Sequence, residues 1–235
     1  MQTPPASTAA NTRVRVWDLP TRMFHWALAV CVIGLGVTGT VGGEAMNWHL
    51  RLGYCALTLL LFRLVWGLVG GHWSRFASFI FSPGSLLAYL RGRGRPEHSI
   101  GHSPLGALAV FAMIAVLVLQ VGSGLLSDDE IAFSGPLTRF VANANVSLAT
   151  FFHKNIGKWL LLALVISHLV AIAVYVRRRQ PLVAAMLHGD KTLTVTTVTA
   201  ISSRDDTRSR ALALLVLLAC AALAYWVSSL AAVTF

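Results

Sequence analysis

Four of the eight histidines in the 235-residue chain, His25, His49, His153 and His168, fall within or at the mouths of long apolar stretches. An imidazole surrounded by hydrocarbon needs a partner, so several of them in one small protein mark a functional site. The chemistry open to such a set is metal ligation or proton transfer. No nucleophile with its base, no paired carboxylates and no phosphate-binding loop accompanies them, so hydrolytic and group-transfer chemistry has no support. The three cysteines, Cys31, Cys55 and Cys220, also lie in apolar segments, and none belongs to a Cys-x-x-Cys-His motif. Neither disulfides nor covalent c-type haem is indicated, and the thiols read as small core residues.

The elements that must position these histidines are membrane helices. The chain is 56% hydrophobic and 12% charged, whereas soluble domains carry about a quarter charged residues. Five apolar runs, roughly 24 to 41, 50 to 69, 105 to 125, 155 to 176 and 211 to 231, are each about long enough to cross a hydrocarbon layer about 30 Å thick. Inside lipid such runs must be helices, because each backbone polar group has to be satisfied within its own segment. The polar start, Thr3 to Arg15, does not read as a removable signal peptide. Fourteen Lys and Arg lie in the leader and in the connections 70–104 and 177–210, against one, Arg139, in the opposite connections. The positive-inside rule therefore places the N terminus in the cytoplasm and the C terminus outside. The net charge of +10 belongs to this topology and not to nucleic-acid binding. The segment from Trp73 to Leu90, interrupted by Pro83 and Gly84, reads as a helical piece along the membrane surface. The Thr- and Ser-rich stretch from Lys191 to Arg210 reads as a flexible linker. The fifth span carries neither His nor charge and is expected to pack on the outside.

Depth along the spans pairs the histidines. His25 lies sixteen residues below Val41, and His168 lies fifteen below His153, so these two share the inner level, while His49 and His153 share the outer one. Fifteen residues at about 1.5 Å rise separate the levels by roughly 22 Å, and His153 and His168 fall within about 60° of one helix face. Each level thus offers two imidazoles from facing helices of a four-helix bundle, a known setting for cofactors. Two axial imidazoles suit a six-coordinate haem iron that passes electrons. Zinc would want three or four protein ligands, and two separated pairs do not supply them. The plain alternative is interfacial or hydrogen-bonded core histidines, the better reading for any one of them alone. Room for a flat ligand is suggested by His-x-x-x-Gly at both His49 and His153, by Gly34, Gly36 and Gly39, and by Gly122 and Gly124, although small residues also simply let membrane helices pack. His102 opens the same pattern but lies at the inner mouth of the third span and reads as a helix-start residue. His72, His98 and His188 fall in inner connections. Haem propionates need cations, and Arg22 and Arg63 are candidates at the inner level, as are Arg51 and Lys154 at the outer. Snorkelling to the headgroups is the competing role for Arg63.

The segments VWDLPTRMFHW, HLRLGYCALTLLLFRLVWG, GHSPLGAL and HKNIGKWLLLALVISH together resemble the bacterial cytochrome b561 family, in the branch related to the cytochrome b subunit of nickel-iron hydrogenases. The resemblance covers roughly residues 13 to 190. It implies an all-α four-helix core holding two haem b groups, with His25 and His168 as one ligand pair and His49 and His153 as the other. It also implies electron exchange in the bacterial inner membrane between the quinone pool and a partner such as a hydrogenase or a periplasmic c-type cytochrome, with quinone as a further ligand. The chain then divides into a cytoplasmic leader (1–22), the di-haem core (23–190), a cytoplasmic linker (191–210) and a fifth transmembrane helix (211–235) outside the family core. The expectation is an electron-transfer protein or oxidoreductase subunit. Superoxide:quinone oxidoreduction is the alternative within redox chemistry, and a haem-free membrane anchor or transporter is the alternative of another class.

Overall fold

A computed structural model of the chain describes residues 11–94, 100–194 and 201–231; His98 and Arg95 lie outside the described residues. The first helix, α1 (Leu19–Val41), starts where the sequence supplies both halves of a cap. The Asp18 carboxylate accepts the Thr21 N–H at 2.9 Å, and Pro20 sits in the first turn, where its missing N–H costs nothing. It stops at Gly42 and Gly43, whose φ values of 68° and 53° lie in the left-handed region. The chain then reverses into α2 (Ala45–Val69). On the far side of α2, α3 (Pro83–Leu90) is short and precedes α4 (Pro104–Leu125). Pro83 begins α3 with Ser82 as its cap and does not interrupt a helix, because a proline ring is tolerated in a first turn. Upstream of it, 73–81 holds only short 3₁₀ turns, so the surface helix expected from Trp73 to Leu90 is confined to its last eight residues.

The fourth span is longer than its apolar run. α5 (Asn143–Phe151), a π turn (Phe152–Gly157) and α6 (Lys158–Arg177) form one continuous helix of 35 residues. His153 therefore sits inside a helix, not at its mouth. After α7 (Leu182–His188), α8 (Thr207–Ser229) completes five helices that are long and apolar enough to cross a membrane. The fold is an all-α membrane bundle. α1 packs along α2 with Leu52 filling the space left by Gly34, α4 packs on α6, and α8 lies against α2 through Ala213 and Cys220 beside Phe62 and Trp66. Side chains such as Val30, Ile33 and Val37 on α1 face outward, as lipid-facing residues do.

One end of the bundle gathers the basic connections. There β1 (Asn11–Arg15) pairs antiparallel with β2 (Asp190–Thr194), and Val14, Val16 and Trp17 pack with Ile100 and Ala185. Arg15 joins Asp190 and Asp205, and Ser203 bonds to the backbone of Arg15 and Val16. Residues 201–206 are thus fastened to the leader and do not behave as the free tether that their composition suggests. Although burial opposes it, hydrogen bonds from Arg210 and the Leu19 N–H, with the charges of Arg210 and Arg15, hold the Asp205 carboxyl below the usual range. The opposite end carries Asp128, Asp129 and Glu130 in the loop between α4 and α5, where one Asp129 oxygen accepts the N–H groups of Ile131, Ala132 and Phe133.

Candidate functional site

The four histidines stand as two facing pairs at two levels of the bundle. At the basic end, His25 of α1 faces His168 of α6 with ring centroids 6.4 Å apart and ring planes 55° to each other. At the acidic end, His49 in the first turns of α2 faces His153 in the π turn, with centroids 6.1 Å apart and planes at 88°. An imidazole–metal bond is about 2.0 Å long and a ring nitrogen lies about 1.1 Å from its centroid, so two imidazoles joined through one metal ion have centroids about 6.2 Å apart. Both observed separations fall at that value.

The acidic-end pair is built twice by the same device. His49 rests on Gly39 of α1, where an added Cβ would come within 2.9 Å of its Cε1, and His153 rests on Gly124 of α4, again at 2.9 Å. Four residues before each glycine a backbone carbonyl meets the ring. His49 Nδ1 lies 3.1 Å from the Leu35 oxygen, and His153 Nδ1 lies 2.9 Å from that of Gln120. A carbonyl only accepts, so both Nδ1 atoms carry the proton and each Nε2 presents its lone pair. One residue before each glycine a hydroxyl adds a second contact, Thr38 Oγ1 at 3.2 Å and Ser123 Oγ at 3.4 Å. Each hydroxyl gives its own proton to a carbonyl of its helix. Gln120 also donates from its amide to the His153 carbonyl within the π turn, a distortion that recurs at functional sites.

The basic-end pair has no such support. Neither imidazole has a hydrogen bond to protein among the described residues, and His25 Nδ1 is buried. His25 instead meets the Trp26 ring edge-on at 5.1 Å. Gly36 lies three turns from His25 on the same face of α1, Gly53 lies one turn from His49, and a Cβ on either would meet nothing within 4 Å. Gly157 does not clear a face in the way the repeated His-x-x-x-Gly pattern suggests, since the Gln120 amide fills that space.

The candidate cations are placed unequally. Arg22, one turn before His25, donates to the Leu187 carbonyl at 2.6 Å and keeps a buried Nε without a partner among the described residues. Arg63 is buried, donates to the Ser74 carbonyl at 3.1 Å and stacks over Phe76. Asp18 reaches the same Ser74 through its hydroxyl at 2.8 Å. At the acidic end Arg51 lies over the Trp48 ring and Lys154 is exposed in the π turn. His102 stands apart from both pairs, its ring between Trp17 and Phe79 at centroid distances of 4.7 and 4.2 Å. Burial, with the charges of Arg63 and Lys191, pushes its pKa down to about 3. Thr38, Ser123 and Gln120 escaped sequence reasoning. Their only signal was a hydroxyl–glycine step repeated on α1 and α4.

The described residues thus form a membrane helix bundle with histidines paired at two levels. The family model described as prokaryotic cytochrome b561 matches residues 16–189, and the chain belongs to that family. It is accordingly a membrane electron-transport protein whose cofactor is haem b. Among its relatives is a probable Ni/Fe-hydrogenase B-type cytochrome subunit of Azotobacter vinelandii, 29% identical over 218 residues that cover 76% of this chain and 88% of the relative. The corresponding Escherichia coli K12 protein, a probable Ni/Fe-hydrogenase 1 B-type cytochrome subunit, is 26% identical over 74% of this chain and 88% of its own length. That of Rhodobacter capsulatus is 26% identical over 79% and 84%. No solved structure matches the chain.

Proposed function

We propose that the chain is the di-haem subunit of a membrane redox complex, passing electrons between a hydrogenase-type partner and the quinone pool, with His25 and His168 holding one haem b and His49 and His153 the other. The observation that carries this reading is the spacing of the two ring pairs, 6.4 and 6.1 Å between centroids, which is the separation at which each pair would hold one metal ion. The donor set fits as well. Imidazoles are ligands that a b-type haem would take, and at His49 and His153 the Nε2 lone pair is free for it, while a Cβ on Gly36 or Gly53, one turn from Gly39 and His49, would meet nothing within 4 Å. Bound haem supplies reversible one-electron chemistry at iron. The protein's part is to fix ligands, depth and charge. Gly39 and Gly124 bring α1 and α4 close enough to hold the acidic-end rings, while the carbonyls of Leu35 and Gln120 set their tautomer. Arg22, with its unpartnered buried Nε, is the cation offered to a propionate at the basic end, and Arg51 and Lys154 are those offered at the acidic end. Arg63 is committed to Ser74 and Phe76 and serves the fold. The basic end faces the cytoplasm and the membrane is the bacterial inner membrane, as the charge asymmetry favours.

The partner assignment rests on the names of the relatives. Its test is reduction of the b-type α band in membranes. Hydrogen should reduce it when a Ni/Fe-hydrogenase is present and leave it oxidised when the hydrogenase is removed, and quinol should reduce it in both cases. A band that responds to neither donor, or that only a reduced c-type cytochrome reduces, would overturn the assignment.

A further inference from the structure

The two ring pairs differ in what stands behind them. Both acidic-end imidazoles give their Nδ1 proton to a backbone carbonyl and a neighbouring hydroxyl, whereas neither basic-end imidazole is hydrogen-bonded to protein among the described residues. A histidine whose outer N–H is donated to an acceptor becomes a more basic ligand and favours ferric over ferrous iron. Formal charge does not separate the two ends, since at the acidic end Glu44, Asp128, Asp129 and Glu130 are matched by Arg51, Arg139, Lys154 and Lys158, and at the basic end the buried Arg63 lies near the buried Asp18.

We infer that the repeated hydroxyl–glycine device, Thr38–Gly39 under His49 and Ser123–Gly124 under His153, would make the haem held there the lower-potential one of the pair. This rests on the two-haem reading above. Thr38 and Ser123 are positioning residues, since they act on iron only through the imidazole.

The experiment is a potentiometric measurement, followed by the visible α bands, on the purified haem-loaded chain. His168→Ala isolates the acidic-end component and His49→Ala the basic-end one, which assigns the two potentials. The acidic-end component is expected to be the lower. Thr38→Val and Ser123→Ala should each raise that component and leave the other in place, and Thr38→Ser should restore the original value. Two components with the acidic-end one equal or higher would overturn the inference, as would hydroxyl variants that move the basic-end component or neither. A wild-type chain with fewer than two components would overturn the two-haem reading itself. The assignment through the histidine variants does not need the hydroxyl variants to fold.

Discussion

Replacing Gly39 by alanine puts one methyl group where the His49 ring now lies. The new Cβ would stand 2.9 Å from Cε1 and 3.1 Å from Nδ1 of His49, against an ordinary contact of 3.4 Å or more, so the ring must retreat by at least about 0.5 Å. Retreat from α1 also stretches the Nδ1 to Leu35 contact from 3.1 Å to about 3.6 Å, beyond hydrogen-bond range. Overpacking of this kind costs about 1–3 kcal/mol. At about 2–4 °C per kcal/mol for a chain of this size, the melting temperature should fall by about 2–12 °C. The spectral consequence is more specific. The haem component assigned to the acidic end should be lost or move to higher potential, and the basic-end component should persist. Gly124→Ala should reproduce this through His153, because its Cβ meets that ring at the same 2.9 Å. Thermal unfolding in detergent and reduced-minus-oxidised spectra read both effects. A Gly39→Ala protein that melts within 1 °C of wild type with both components intact would refute the reasoning, since the ring would then have room that the geometry denies it.

Asp18 is fully buried and accepts from the Thr21 and Gly71 N–H groups, the Ser74 hydroxyl and the Trp66 indole. Asp18→Ala should cost about 3–5 kcal/mol by stranding these donors near the buried Arg63, and Trp66→Phe only about 1, both read by thermal unfolding. His102 supplies a pH test. Its folded pKa of about 3 lies below the unfolded 6.5, so the unfolded chain binds the extra proton and stability falls as pH drops through that window. Wild type should lose about 2 kcal/mol more than His102→Gln between pH 7 and pH 5, at no more than about 1.4 kcal/mol per pH unit. Equal pH dependence of the two proteins would show that the ring is solvated.

The sequence made the five helices legible because lipid leaves an apolar run of twenty residues no other structure. Depth counting along those runs set His25 level with His168 and His49 level with His153, the rings that face each other in the structure, since helical rise is nearly constant. What it missed depended on neighbours. Asn143 to Phe151 mixes Asn, Ser and Thr with apolar residues and carries no span signal, yet it continues the fourth helix by nine residues. Pro83 looked like a break and is a beginning, because the same ring that ends a helix is accommodated in a first turn. The strand pair at the basic end joins residues about 180 positions apart, through Arg15 and Asp190, and no local pattern announces such a contact. The hydroxyl–glycine steps were visible as letters but acquire meaning only when α1 is known to lie beside α2 and α4 beside the π turn.

Haem content per polypeptide bears most directly on the two ring pairs. Pyridine haemochrome absorbance set against quantitative amino-acid analysis should give two haem b per chain in the wild type, and one each in His168→Ala and His49→Ala. A wild-type ratio of one, or a ratio of two retained in either variant, would contradict the assignment of these histidines to two separate irons.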